Sequence, residues 1–200
     1  MKRILTFFIT ISLVFSTAFS QEYQEVLKQI FLDAEYFLMD ESYADALVEY
    51  QKLLPRGYEN NANINYRIGE CYLNIPGEKA KAIPYLEKAI TNVTPKYKEG
   101  IFKETKAPYD AWLYLGNGYR ITNQLDKAVQ AYQKYKELLK DDKSEMSKYA
   151  DQQIIACNNA KKAQENPVYL IQNNLGEVIN TQFSDFNPVV SADENVMVFL

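Results

Sequence analysis

Between positions 112 and 132 the chain carries a unit, Trp112-x-x-Leu115-Gly116-x-x-Tyr119 followed by Ala128-x-x-x-Tyr132, that leaves little choice of fold. Spacings of three and four put Trp112, Leu115 and Tyr119 on one face of a helix, and Ala128 and Tyr132 on one face of a second. A small residue in each face, Gly116 and Ala128, lets the two axes approach, and the aromatic side chains fill the space around that contact. The skeleton recurs at Ile68-Gly69-x-x-Tyr72 with Ala82-x-x-x-Leu86-x-x-Ala89. A weaker copy stands at Ala34-x-x-Phe37 with Tyr43-x-x-Ala46-x-x-x-Tyr50. One helix pair cannot bury its apolar face alone, so three copies in a row predict a stacked helical array.

The pattern resembles the tetratricopeptide repeat, W-x2-L-G-x2-Y…A-x3-F, over about Gln29 to Lys140. The resemblance implies an all-α solenoid of three helix pairs with a concave inner face lined by the first helix of each pair. It selects Tyr66, Arg67, Glu70 and Asn74 in the middle repeat, Leu113, Tyr114, Asn117 and Ile121 in the last, and Glu35 and Leu38 in the first as groove residues. Tyr66 and Tyr114 would anchor an extended peptide or partner helix, with Arg67 or Asn117 as hydrogen-bond donors. The competing reading is that these residues are ordinary solvated ones, or that a capping helix fills the groove. The carboxylate-clamp type of groove fits poorly, because Glu70 opposes Arg67 and Asn117.

The small anchors at 34, 69 and 116 are spaced by 35 and 47 residues, and the excess lies in 93–108. That stretch reads as a connecting loop or helix extension, with a docking arm as the other reading. Pro84 falls in the second turn if its helix starts near Glu78, and predicts a slight kink. Met146, Ala150, Ile154, Cys157 and Lys161 recur at helical spacing before Pro167, which predicts a capping helix from Glu145 to Glu165 over the apolar end of the array.

Composition fits helices packed through aromatic knobs: sixteen Tyr and ten Phe stand against seven Gly and seven Pro, too few for a turn-dense sandwich. The absence of histidine removes imidazole acid–base relays, His-paired nucleophiles and most imidazole metal sites. No nucleophile elbow, phosphate loop or metal-ligand cluster stands in the sequence, so no cofactor and no catalysis are expected. The net charge of −4 becomes −6 if Lys2 and Arg3 leave with a leader, which leaves no basic footprint for nucleic acid.

Such a leader is legible. Lys2 and Arg3 precede an apolar run from Ile4 to Phe15, and Ala18-Phe19-Ser20 offers small residues at the cleavage positions, so residues 1–20 read as a signal peptide and the mature chain as starting at Gln21. The run is about half the length that crosses a bilayer. Export to the periplasm or outer membrane is expected. Cys71 and Cys157, each in register for helix burial, read as two buried thiols and not as a disulfide.

Residues 21–166 then form the repeat domain. Beyond Pro167 the period changes to two: Val168-Tyr169-Leu170-Ile171 is β-prone, and Val189-Val190 and Val196-Met197-Val198-Phe199-Leu200 flank a turn at Ser191-Ala192-Asp193-Glu194-Asn195. Residues 167–200 read as the start of a β-domain that continues past Leu200, because an unpaired apolar strand edge is an aggregation hazard. Asn174-Leu175-Gly176-x-x-Ile179-Asn180-Thr181 and Ser184-Asp185-Phe186-x-Pro188-Val189-x-Ser191-Ala192-Asp193 resemble the start of a TolB-like β-propeller of Bacteroidetes outer-membrane proteins. Those proteins join a signal peptide, tetratricopeptide repeats, the propeller and an OmpA-like peptidoglycan-binding domain, as in the PorE-like component of type IX secretion. One departure is Glu194-Asn195, where the family's turn has Gly after Asp; Asn195 can adopt the left-handed conformation instead. The resemblance implies a scaffold of a cell-envelope complex, touching peptidoglycan only through a downstream domain. The alternatives are the N-terminal region of a propeller-containing peptidase and a repeat protein serving polysaccharide uptake.

Overall fold

A computed structural model of the chain describes residues 2–141, 143–169, 171, 173, 176, 188–193 and 195–198, with 2–20 described for their backbone alone. It divides into two compact units, Met1–Gln164 and Glu165–Leu200.

In the first unit α1 (Lys2–Met39) packs on α2 (Tyr43–Leu53), α3 (Ala62–Asn74) on α4 (Ala82–Ala89), and α5 (Asp110–Ile121) on α6 (Leu125–Leu139), with α7 (Glu145–Glu165) after them. No helix among the described residues is long and apolar enough to cross a membrane. The small anchors explain the pairing. A Cβ on Gly116 would stand 2.5 Å from Tyr132 Cε1, and one on Gly69 would stand 2.5 Å from Leu86 Cγ, so glycine is what lets each pair close. Ala34, Ala46, Ala82 and Ala128 are fully buried at the same contacts. Tyr50, Tyr72, Leu115, Tyr119 and Tyr132 fill the core around them, and Phe37 and Trp112 pack half-buried at its margin.

Hydrogen bonds between successive pairs repeat as well. Gln51 Nε2 donates to the Tyr72 hydroxyl at 2.9 Å, and one repeat later the Tyr119 hydroxyl donates to Glu87 Oε1 at 2.6 Å. Each bond joins the second helix of one pair to the first helix of the next. Phe37 holds the same place in the first pair, and its ring carries no hydroxyl to bond.

Two local expectations change. A 3-10 turn at Lys79–Lys81 precedes α4, so Pro84 sits in the first turn of that helix, where an N–H has no intrahelical acceptor to lose. The cause of the expected kink is therefore gone. In α7 the inward line is Ser147, Ala150, Ile154 and Cys157; Met146, one residue out of that phase, is 42% exposed. Ser144 fixes the phase by accepting the Ser147 N–H on its hydroxyl at 3.2 Å. Lys136 pairs with Asp151 at 2.7 Å, and Lys161 with Asp126, tying α7 to α6.

The described residues of the second unit hold one hairpin. Its strands, Val189–Val190 and Met197–Val198, pair antiparallel with Val189 opposite Val198. Ser191 and Asn195 hold the Asp193 carboxylate by hydrogen bonds, which pulls it down to about 2. This hairpin does not show a propeller. Val168, Tyr169 and Ile171, expected in a strand, are exposed and pair with no strand among the described residues. Asn174, Leu175, Ile179, Asn180, Thr181, Ser184, Asp185, Phe186 and Glu194, which carry most of the propeller resemblance, lie outside the described residues.

Candidate functional site

The excess length between α4 and α5 is an arm laid across the inner face of the first two helix pairs. Its ends are drawn together by β1 (Val93–Thr94) and β2 (Ala107–Pro108), which pair in parallel. Between them the Phe102 ring packs against Phe31 and Tyr58, each at 5.7 Å between centroids. Tyr97 meets Tyr66 edge-on at 6.1 Å and donates its hydroxyl to Asn63 Oδ1 at 2.6 Å. The Thr105 carbonyl accepts the N–H groups of Ala62 and Asn63 at 3.1 and 3.3 Å, and so supplies acceptors at the start of α3, whose first N–H groups have no helical partner.

Under the arm lies a charged centre built on Arg67, which is 2% exposed. Its Nε and Nη2 donate to the two carboxylate oxygens of Glu35, its Nη1 to Glu70 and its Nη2 also to Glu99, all at 3.0 Å. The guanidinium stands over the rings of Tyr66 and Tyr97 at 5.6 and 5.9 Å. The Tyr50 hydroxyl donates to Glu35 at 2.5 Å. One cation serves three carboxylates, so the desolvation that raises Glu70 above the ordinary value of 4.5 is only partly offset by Arg67. Burial, and then the Glu70 charge, push the neighbouring Cys71 thiol up to about 12. Cys71 and Cys157 are both buried and free. Among the described residues no group of three or more His, Cys, Asp or Glu could hold a metal ion.

The expected groove residues divide. Tyr66 and Leu113 are 5% and 3% exposed and, with Arg67, are committed inside the domain. The role of Tyr66 as a peptide anchor and of Arg67 as a free donor is corrected accordingly, because the arm already occupies that part of the face. Glu70 and the edge of Arg67, with Glu35 and Leu38 from α1, line a cleft of about 680 Å³ whose other walls are Leu32, Tyr36, Met39 and, from the arm, Glu99 and Gly100. Asn74, Tyr114, Asn117 and Ile121 line a smaller cleft of about 230 Å³ with Lys79, Arg120 and Tyr149. Tyr114 connects the two: it stacks on Tyr66 at 5.5 Å, and its hydroxyl lies 3.5 Å from Glu70 Oε1. Asn117 accepts the Tyr132 hydroxyl at 2.8 Å, the counterpart, fifteen residues apart in both repeats, of Tyr50 donating to Glu35.

Sequence reasoning missed Tyr97, Glu99 and Phe102 on the arm, Tyr36 and Met39 on α1, and Arg120 and Tyr149 at the smaller cleft. A signal existed for the arm, since Tyr97, Ile101 and Phe102 are large for a solvated connection and two of them need cover.

With the three pairs, their glycine contacts and the inner face described, comparison with known proteins decides the fold. The crystal structure of the Sgt2 TPR domain from Aspergillus fumigatus superposes with a TM-score of 0.53 at 16% identity, over 76% of this chain and 89% of that one. The fold is a tetratricopeptide-repeat solenoid. The crystal structure of MamA protein aligns at 18% identity over 73% of this chain and 98% of that one, with a TM-score of 0.30, and nothing rests on it. No family model and no curated protein matches the sequence. In this tetratricopeptide solenoid the arm is an addition to the repeat, placed where the inner faces of the first two repeats would otherwise be open.

Proposed function

We propose that the chain is a non-catalytic protein-interaction scaffold whose docking face is the part of the tetratricopeptide inner face that its own arm leaves open. The observation that carries this reading is the cleft between α1, α3 and the arm. Tyr36 and Met39 stand 69% and 84% exposed on its rim, large apolar side chains without cover, beside the carboxylates of Glu70 and Glu99. Apolar anchors next to fixed charge suit a polypeptide partner, because the anchors supply affinity and the charges supply register. The leader-like residues 1–20 support export, and the propeller-like residues after Pro167 support a place in an outer-membrane or periplasmic complex of the type IX secretion kind, with any hold on peptidoglycan supplied by a downstream OmpA-like domain.

Site-specific photocrosslinking in the native host tests this. A photoreactive residue at position 39 of the full chain is expected to give a discrete protein adduct in the envelope fraction. The same residue at Gln130, exposed on α6, is expected to give none. Equal adducts from both positions, or none from position 39, would remove the cleft from the account.

A further inference from the structure

The arm sorts its charges. In sequence, residues 96–106 alternate four lysines with two glutamates, which reads as a mixed and nearly balanced loop. In the structure both glutamates are committed: Glu99 meets Arg67 at 3.0 Å, and Glu104 Oε1 accepts the backbone N–H groups of Thr105 and Lys106 at 3.0 and 2.9 Å. Lys96, Lys98, Lys103 and Lys106 are left exposed, and among the described residues none of their ammonium groups has an ion pair or hydrogen bond. Lys28, Lys52, Lys134 and Lys148 each pair with a glutamate three residues away, an arrangement that none of the four arm lysines has. A chain of net charge −4 therefore presents four unpaired cations on the arm that walls the cleft assigned above to a partner.

We infer that the arm is a docking ridge for an acidic segment of a partner polypeptide, carboxylates on the four lysines and apolar side chains in the flanking clefts. The inference rests on the scaffold reading and adds the chemistry of the partner. A polypeptide is favoured over a lipid surface because the arm also walls side-chain-sized hollows. Glu99 and Gly100 line the cleft of about 680 Å³, and Pro95 and Tyr97 line another of about 540 Å³ with Pro108, Tyr109 and Leu139. A headgroup plane can meet the charges but cannot fill the hollows.

The test uses the full chain and a fluorescently labelled peptide of mixed Glu and Leu residues, with its Gln-for-Glu version and phosphatidylglycerol vesicles as comparators. The Glu peptide should bind, more weakly as salt is raised, and the Gln peptide should not. The variant K96E/K98E/K103E/K106E should lose at least about tenfold in affinity, as expected for several opposed charges on one surface. The variant K52E/K88E/K134E/K148E carries the same change in net charge away from the arm and should keep its affinity. Should circular dichroism show the reversed arm to disturb the fold, the four Lys→Gln changes take its place with the same expectation. Equal loss in both quadruple variants, unchanged affinity in the arm variant, or binding of vesicles without binding of the peptide would each overturn the inference. Crosslinking from position 39 is read separately, so the ridge can fail while the scaffold reading stands.

Discussion

Replacing Arg67 with alanine is expected to lower the unfolding free energy by about 3–5 kcal/mol, the usual cost of removing one partner from a buried ion pair. The size follows from what remains. Glu35 and Glu70, with side chains 10% and 17% exposed, would lose the only cation that bonds them among the described residues, and Tyr50 would still hold Glu35 in place. The loss should depend on pH with a fixed sign. Glu70 is already raised above 4.5 by burial in the native protein, so its contribution to stability is full below that value and is lost as pH rises through its folded value. Without Arg67, whose charge holds it down, the Glu70 carboxyl is raised further, and the damage should be larger at pH 7 than near pH 4.5. Urea unfolding of both proteins at the two pH values checks this. A loss under about 1 kcal/mol, below even the usual range for one hydrogen bond to a charged group, or a larger loss at the acid value, would show that the centre is wired differently.

Gly116→Ala is the second large effect. The added methyl would sit within 2.9 Å of three atoms of the Tyr132 ring. That ring is fully buried and tethered through its hydroxyl to Asn117, so it cannot swing aside as the end of a flexible side chain could. A cost of about 3 kcal/mol, the upper end for overpacking, is expected. In a Tyr132→Ala background the clash partner is gone, and the same substitution should cost less than about 1 kcal/mol, a coupling that only neighbouring sites show. Equal costs in the two backgrounds, measured by denaturant unfolding, would mean that Gly116 is needed for some reason other than the approach of α5 to α6.

These glycines also show why the solenoid was legible. Gly69 and Gly116 lie in local patterns whose partners, Leu86 and Tyr132, stand one helix away, and spacing rules reach that far. The extent of α7 was legible through its helical spacing and through Pro167, since period and breakers act locally. The arm was not, because its seat depends on contacts between residues far apart in sequence, such as Phe102 with Phe31 and Tyr97 with Asn63, which no period encodes. The groove positions were read from a repeat whose inner face is open. That rule put Arg67 and Tyr66 on the right side of their helix and could not foresee that a segment thirty residues later would cover them. The division of the arm's charges, glutamates engaged and lysines free, was hidden for the same reason.

The seat of the arm is what every functional statement above depends on, and it is open to one measurement. Nuclear Overhauser contacts from the Phe102 ring protons of the full chain, selectively labelled at phenylalanine and tyrosine, should reach the rings of Phe31 and Tyr58, with those of Tyr97 reaching Tyr66. Absence of these contacts, with Phe102 and Tyr97 at the chemical shifts of a solvated chain, would mean that the inner face is open and that the site has been placed on the wrong surface.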